Sequence, residues 1–146
     1  MNQTYDVIGI GNAIVDVISP APDTFLDQMG IEKGIMQLIE RERAELLYAS
    51  MSERVEAPGG SVANTLAGIG ALGLSTAFIG KVKDDALGRF YAQTMEASGT
   101  AFPYPPQAVD LPTSRSMIFV SPDGERSMNT YLGAGADISS SEVPDM

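Results

Sequence analysis

The sequence predicts an α/β fold, a parallel sheet flanked by helices. Three observations carry this. Short β-branched runs alternate with apolar stripes at helical spacing through residues 57–99, the strand and helix order of parallel sheets. Glycines stand where the periodic segments end. After the proline-rich piece Phe102 to Pro112, two extended runs flank Ser121-Pro122-Asp123-Gly124-Glu125, a turn with proline early and glycine late that reads as a hairpin.

Tyr5 to Ile10 is a β-branched run ending in Gly11-Asn12, hence a buried first strand and a turn. Ile14 to Ile18 reads as a second strand, ended by Pro20 and Pro22. Asp23 is expected to cap a short helix through Met29, closed by Gly30 in the left-handed region. Gly34 to Ile39 reads as a strand, and Glu40 to Met51 as a helix with Ala44, Leu47, Tyr48 and Met51 on one stripe. Arg54 to Ala57 is a short strand leading into Pro58-Gly59-Gly60. Val62, Leu66 and Ile69 then repeat at helical spacing until Gly73, and Thr76 to Ile79 is a strand. Asp84-Asp85 supplies caps for a helix lined by Leu87, Phe90, Tyr91 and Met95 and stopped by Gly99. Ser116 to Val120 and Arg126 to Tyr131 are the hairpin strands, and Ser139 to Glu142 has the spacing of a capping box. The 146 residues thus end where a helix is expected to start.

Composition narrows the chemistry. With 44% apolar and 19% charged residues the chain is one globular domain rather than a disordered tail. At this size folding buries roughly 68% of the unfolded surface, enough for a core without staples. No Cys and no His are present, which removes thiolate nucleophiles, most zinc sites and any imidazole base. Acid–base work falls to carboxylates, Lys, Tyr or backbone. A formal charge of −10, spread along the chain, argues against nucleic acid as a partner. The start, Met1 to Asp6, lacks the features of a secretion signal, so a cytoplasmic location is expected. The uncharged stretch from Ala57 to Gly80 holds six glycines, a proline and Asn64, so no membrane partner is expected either.

Gly9-Ile10-Gly11-Asn12-Ala13-Ile14 begins like a dinucleotide fingerprint, but Ile14 occupies the third glycine position and prolines follow where the helix should run. The turn instead presents Asn12 and Asp16. Asp16 is the one carboxylate in an apolar run, and a carboxylate can accept from two vicinal hydroxyls of a sugar; the bland reading puts it on the wet face of an edge strand. Gly59-Gly60-Ser61-Val62-Ala63-Asn64-Thr65 places two glycines at a helix entrance, where a ligand approaches free amides, and Asn64 one turn further on. A plain structural turn uses the same glycines. Asp84-Asp85 is read as caps rather than metal ligands, and Leu132 to Asp137 as loop punctuation, because it lacks the Lys-Ser/Thr of a phosphate loop.

On Gly59 to Thr65, on Gly80-Lys81-Val82-Lys83-Asp84-Asp85-Ala86-Leu87-Gly88, on Gly11 to Asp16 and on Asp123 to Ser127, the chain resembles the PfkB (ribokinase-like) carbohydrate kinases, adenosine-kinase-like branch. The resemblance runs over residues 1–146 and covers the family's N-terminal portion only. It implies a ribokinase-like parallel sheet flanked by helices, incomplete at the C-terminus, with a small β-sheet lid near residues 12–19, 35–39, 54–58 and 113–131. It implies transfer of phosphate from ATP, with Mg²⁺, to a hydroxyl of a sugar or nucleoside. By position, Asp16 grips sugar hydroxyls, Gly59 and Gly60 let the sugar lie against backbone amides, Asn64 bonds another hydroxyl and Asn12 lines the same pocket, so that the aspartate and the glycines face one another. Arg126 lies near the closed site or anchors the hairpin. Val62 and Lys83 depart from residues common in ribokinases proper. The family's catalytic Asp is expected beyond Met146; Asn129 to Asp137 mimics that signature but comes too early, so Asp137 is rejected as the base. No catalytic residue and no metal ligand is therefore assigned within the chain. An inactive sugar- or nucleoside-binding module, a homodimer through its lid, is the alternative.

Overall fold

The computed structural model describes residues 4–143. In chain order its strands and helices are β1 (Val7–Ile10), β2 (Ile14–Pro20), α1 (Asp23–Gln28), β3 (Met36–Leu38), α2 (Arg41–Ser50) and β4 (Val55–Gly59). There follow α3 (Ser61–Ala71), β5 (Thr76–Ile79), α4 (Ala86–Ala97), β6 (Thr100–Ala101), β7 (Ser114–Val120) and β8 (Arg126–Tyr131), then two 3-10 turns, Gly133–Asp137 and Ser140–Glu142. They form two compact units. Among the described residues the first holds the chain up to Val15, Pro58–Ser114 and everything from Leu132; the second holds Asp16–Ala57 and Arg115–Tyr131.

The first unit is a parallel sheet in the order β1-β5-β6, with Val7 opposite Thr76 and Thr76 opposite Thr100. β5 is the middle strand and is buried at every position, as a strand covered on both faces must be. Helices α3 and α4 pack on this sheet. Phe78 of β5, Tyr91 of α4 and Phe102 close the core as a ring cluster with centroids 5.6 to 6.1 Å apart. Two groups tie the helices to their surroundings. The Tyr91 hydroxyl donates to the Gly59 carbonyl at 3.0 Å. Asp85 caps α4 by accepting from the Gly88 amide at 2.8 Å and also takes the Thr113 hydroxyl at 2.7 Å. Asp84 pairs with Arg89 at 2.9 Å, so the two acids act as caps and surface pairs.

The second unit is a five-stranded sheet in the order β3-β8-β7-β2-β4; only the ends Ile14–Val15, Pro58–Gly59 and Ser114 of its strands belong to the first unit. β7 and β8 form the antiparallel hairpin, and β3 runs parallel to β8. Val17 and Ser19 are buried on one side of β2, and Ser19 and Phe119 border a small pocket with Phe25 of α1, whose ring lies 5.1 Å from that of Phe119. Ala44 and Leu47 are the buried residues of α2, which packs on β8. The hairpin turn is stapled by Lys33, whose Nζ lies 2.6 Å from Asp123 and 3.0 Å from Asp23. Lys33, with the Ser121 hydroxyl and the Glu125 amide, holds the Asp123 carboxyl well below the usual carboxylate range.

Five expectations change. β1 is not buried: it is an edge strand of its sheet, with Ile8 and Ile10 exposed. Asp23 is the first helical residue of α1 rather than its cap: Pro22 stands at the cap, and the Asp23 carboxylate turns to Lys33. Ser139 caps nothing, because its hydroxyl bonds that of Ser141 and only a single 3-10 turn follows. The α3 stripe has Ala63 and Leu66 as its buried members, with Val62 and Ile69 half-buried. Leu132 to Asp137 is more than punctuation, since it forms a 3-10 turn with Ala134 and Gly135 buried. Replacing Tyr91 by Phe strands the Gly59 carbonyl in the core. The cost expected in urea denaturation is about 1–3 kcal/mol; an unchanged midpoint would show that this carbonyl needs no donor.

Candidate functional site

The first unit gathers Asn12, Gly59, Gly60 and Asn64. Gly60 stands between β4 and α3 with φ 98°, and a side chain there would bring a Cβ within 2.6 Å of the Asn12 carbonyl oxygen. Both facts demand glycine: the backbone angle is one L residues avoid, and the space is filled by main chain. The Asn64 amide donates to the Gly60 carbonyl at 3.0 Å, which starts α3. No side chain caps this helix, so its leading amides are available to an outside acceptor at the positive end of the helix dipole. Asn12 and Asn64 are exposed, and Gly59 is buried with its carbonyl held by Tyr91. A donor-rich, uncharged edge of this kind suits neutral hydroxyls.

The loop carrying Asn12 is held from its other side as well. A Cβ on Gly80 would stand 3.0 Å from that of Ala13, and one on Gly135 would stand 3.1 Å from the Ala13 carbonyl oxygen. The Gly135 amide donates to the Ser114 hydroxyl at 2.8 Å, and that hydroxyl donates to the Leu132 carbonyl. Lys81, just after β5, is buried with its Nζ 3.3 Å from the Asp137 carbonyl oxygen and 3.7 Å from its carboxylate. The sequence pointed to none of these roles. An isolated glycine in an irregular stretch gives no local sign of a neighbour arriving from far along the chain. Lys81, buried beside β5, could have been suspected only from its place just after the largely apolar run Thr76 to Ile79.

The second unit holds Asp16 and Arg126. Asp16 lies on the side of β2 opposite Val17 and Ser19, half-buried, with no side-chain hydrogen bond or ion pair to another described residue. Burial pushes its carboxyl above the ordinary value of 3.8, and the positive field of Arg126 pulls the other way. On β8, Arg126, Met128 and Thr130 alternate onto one face, and register places Met36 and Leu38 of β3 beside Met128 and Thr130. Met36 is 54% and Leu38 62% exposed. This surface therefore combines apolar side chains with charge. Asp16 and the Asn12, Gly60 and Asn64 cluster belong to different units.

Among the described residues no group of three or more His, Cys, Asp or Glu could hold a metal ion, and no helix is long and apolar enough to cross a membrane.

Comparison with known proteins gives a consistent result. The model of the pfkB family carbohydrate kinases matches residues 33–145. The chain is 52% identical to the adenosine kinase of Sinorhizobium meliloti, covering 96% of this chain and 43% of that one with a TM-score of 0.85. A probable sugar kinase of Rhizobium etli is 48% identical, covering 95% of this chain and 42% of that one, with a TM-score of 0.84. A fructokinase of Escherichia coli is 33% identical over 94 residues, 64% of this chain and 31% of the relative. The chain thus spans about a third of the curated relatives it matches and less than half of the solved structures.

Two outcomes follow from this geometry. Gly60→Ala forces a positive φ on an L residue and drives a methyl into the Asn12 carbonyl. It is expected to cost about 2 kcal/mol or more in chemical denaturation; a neutral Gly60→Ala contradicts the close approach. For Asp16 the folded carboxyl titrates above its unfolded value, so the burden of burying the ionised form is absent below pH 3.8 and grows as pH rises through the raised value. Asp16→Asn is therefore expected to raise the denaturation midpoint at pH 7 and to bring no gain at pH 3; a loss at pH 7 would mean that the carboxylate stabilises the fold.

Proposed function

Because the chain belongs to the pfkB family of carbohydrate kinases, we propose that it supplies the acceptor-binding portion of an ATP-dependent kinase for a sugar or nucleoside hydroxyl, with a nucleoside of the adenosine type preferred. The observation that carries this is the contact between Gly60 and the Asn12 carbonyl beside the uncapped start of α3. A polyol needs donors and acceptors within reach of several hydroxyls, and a backbone bared by glycine offers them without a competing side chain. In this reading Gly59 and Gly60 let the sugar approach the α3 amides, while Asn12 and Asn64 each bond a hydroxyl. Asp16 accepts from two vicinal hydroxyls; its burial cost, with no hydrogen bond or ion pair to another described residue, fits a carboxylate kept for a ligand. The positive charge of Arg126 offsets part of the burial that raises this carboxyl.

Two observations support the nucleoside over a plain hexose. One is the 52% identity to a protein described as an adenosine kinase. The other is the exposed apolar pair Met36 and Leu38 on the face that carries Arg126, which suits a flat, weakly polar group. The strand segments near 12–19, 35–39, 54–58 and 113–131 act as the lid, which excludes water and so protects the phosphate donor from hydrolysis.

ATP supplies the phosphoryl group and Mg²⁺ neutralises its charge when they are bound. In this reading the nucleotide site and the catalytic carboxylate lie in the part of the relatives' length that this chain does not cover. What this chain's residues do is bind, orient and shield the acceptor.

The test is to assay this chain and a version extended beyond Met146 with ATP and a panel of nucleosides and sugars, alongside calorimetry on Asp16→Ala. The extended protein is expected to turn over, and the short chain to bind without turnover. Asp16→Ala is expected to weaken binding by about 10- to 100-fold, the worth of hydrogen bonds to a charged group. Turnover by the short chain would overturn the division of labour, and unchanged affinity would return Asp16 to a structural role. A silent, dimeric binding module would show no turnover in either form.

A further inference from the structure

The chain carries eight methionines and neither cysteine nor tryptophan, so a peroxide meets thioethers as its most readily oxidised side chains. Their settings differ sharply. Met51, Met95 and Met117 are buried, Met29 and Met128 are half-buried, and Met36 is 54% exposed, the one exposed methionine among the described residues.

Met36 stands on β3, which ends the five-stranded sheet, so among the described residues no strand covers its free side. Alternation along the strand turns Met36 and Leu38 to one face and half-buries Gln37 on the other. Register sets Met36 beside Met128 of β8, which is itself paired with Ile118 of β7. The hydroxyls next along this face, those of Ser116 and Thr130, bond each other at 2.9 Å. The open end of the face is therefore carbon and sulfur, with Arg126, the one charged residue of β8, two positions before Met128. Oxidation changes such a surface at a single point. A thioether is flexible and weakly polar, which suits contact with a flat ring. A sulfoxide carries a strongly polar oxygen that must shed water before an apolar group can cover it.

We propose that Met36 is a reversible oxidation site at which a peroxide lowers the affinity of this face for a nucleoside base, an inference that rests on the acceptor reading given above. The thioether sulfur attacks one oxygen of the peroxide, and the S–O bond forms as the O–O bond breaks. The second oxygen takes the proton of the first and leaves as water. Sulfur loses the two electrons that the peroxide gains. Return needs a dithiol reductant, which removes the oxygen as water and becomes a disulfide.

The experiment treats the 146-residue chain with hydrogen peroxide and follows sulfoxide formation at each methionine by peptide mass spectrometry. Calorimetry with adenosine and with ribose is run before treatment, after it, and again after reduction by methionine sulfoxide reductases of both epimer types with dithiothreitol. Met36 is expected to oxidise at least about 10-fold faster than Met95 and Met117, which react only when the core opens. With Met36 oxidised, adenosine affinity is expected to fall about 10-fold or more and to return on reduction, while ribose, which has no base, keeps its affinity. Met36→Leu, whatever its own affinity, is expected to bind adenosine equally before and after the same treatment. Several results would overturn the proposal and leave the acceptor reading standing: equal oxidation rates at Met36 and Met117, adenosine affinity that survives oxidation, a parallel loss for ribose, or a loss that persists in Met36→Leu. An untreated chain that binds no adenosine also overturns it, and one that binds no ribose either overturns the acceptor reading as well.

Discussion

The loop Gly11 to Ala13 is gripped by close approaches in which a glycine stands on one side, and the arrangement of the first unit depends on that grip. Gly60 lies against the Asn12 carbonyl, Gly80 and Gly135 lie against Ala13, and a Cβ on Gly11 would stand 2.9 Å from Val62 of α3. The contacts reach the loop from the start of α3, the end of β5 and the turn after β8, three places distant in sequence. Each is short because glycine stands on one side of it, and together they leave the loop little room to shift. Close packing of this kind transmits position well, because interiors have few voids into which a segment can relax. The loop therefore carries Asn12 at a defined place beside the first amides of α3 and leads directly into β2, where Asp16 lies four residues further on.

Much of the fold was legible because its signals are local. Thr76 to Ile79 has β-branched and aromatic residues and is a strand at those very residues. Asp85 before Ala86 and Gly99 after Ala97 mark both ends of α4, and the hairpin turn carries proline and glycine where a turn needs them. Local composition did not show the partition into two sheets; only the family resemblance implied a separate small sheet. Ile14 to Ile18 and Tyr5 to Ile10 look alike in composition, yet the first pairs in the five-stranded sheet and the second in the parallel one. Strand partners are chosen by long-range packing, which a local pattern does not encode. The same limit explains Ser139, whose capping spacing is present while only a 3-10 turn follows among the described residues.

The candidate site divides along the same line. Gly59, Gly60 and Asn64 were visible because a glycine pair at a helix entrance is a contiguous motif with a physical meaning, and the positive φ of Gly60 agrees with it. Asp16 stood out as a charge in an apolar run, and the structure half-buries it with no hydrogen bond or ion pair to another described residue. Gly135 and Lys81 were passed over. Their importance arises from contacts to Ala13 and Asp137 that fold-level geometry creates. Features that hold a site in place are therefore harder to read than features that line it, since lining residues need chemical identity while supporting residues need only the right neighbour.

The central claim is that the Asn12 loop and the start of α3 form one binding edge for a hydroxyl-bearing ligand. Titrating the ¹⁵N-labelled chain with adenosine, with ribose as the comparison, reads this directly through backbone amide shifts. The account predicts saturable shifts concentrated at Asn12, Ser61, Val62 and Asn64, stronger with adenosine. Shifts confined to other segments, or none at these four amides at saturating ligand, would contradict it.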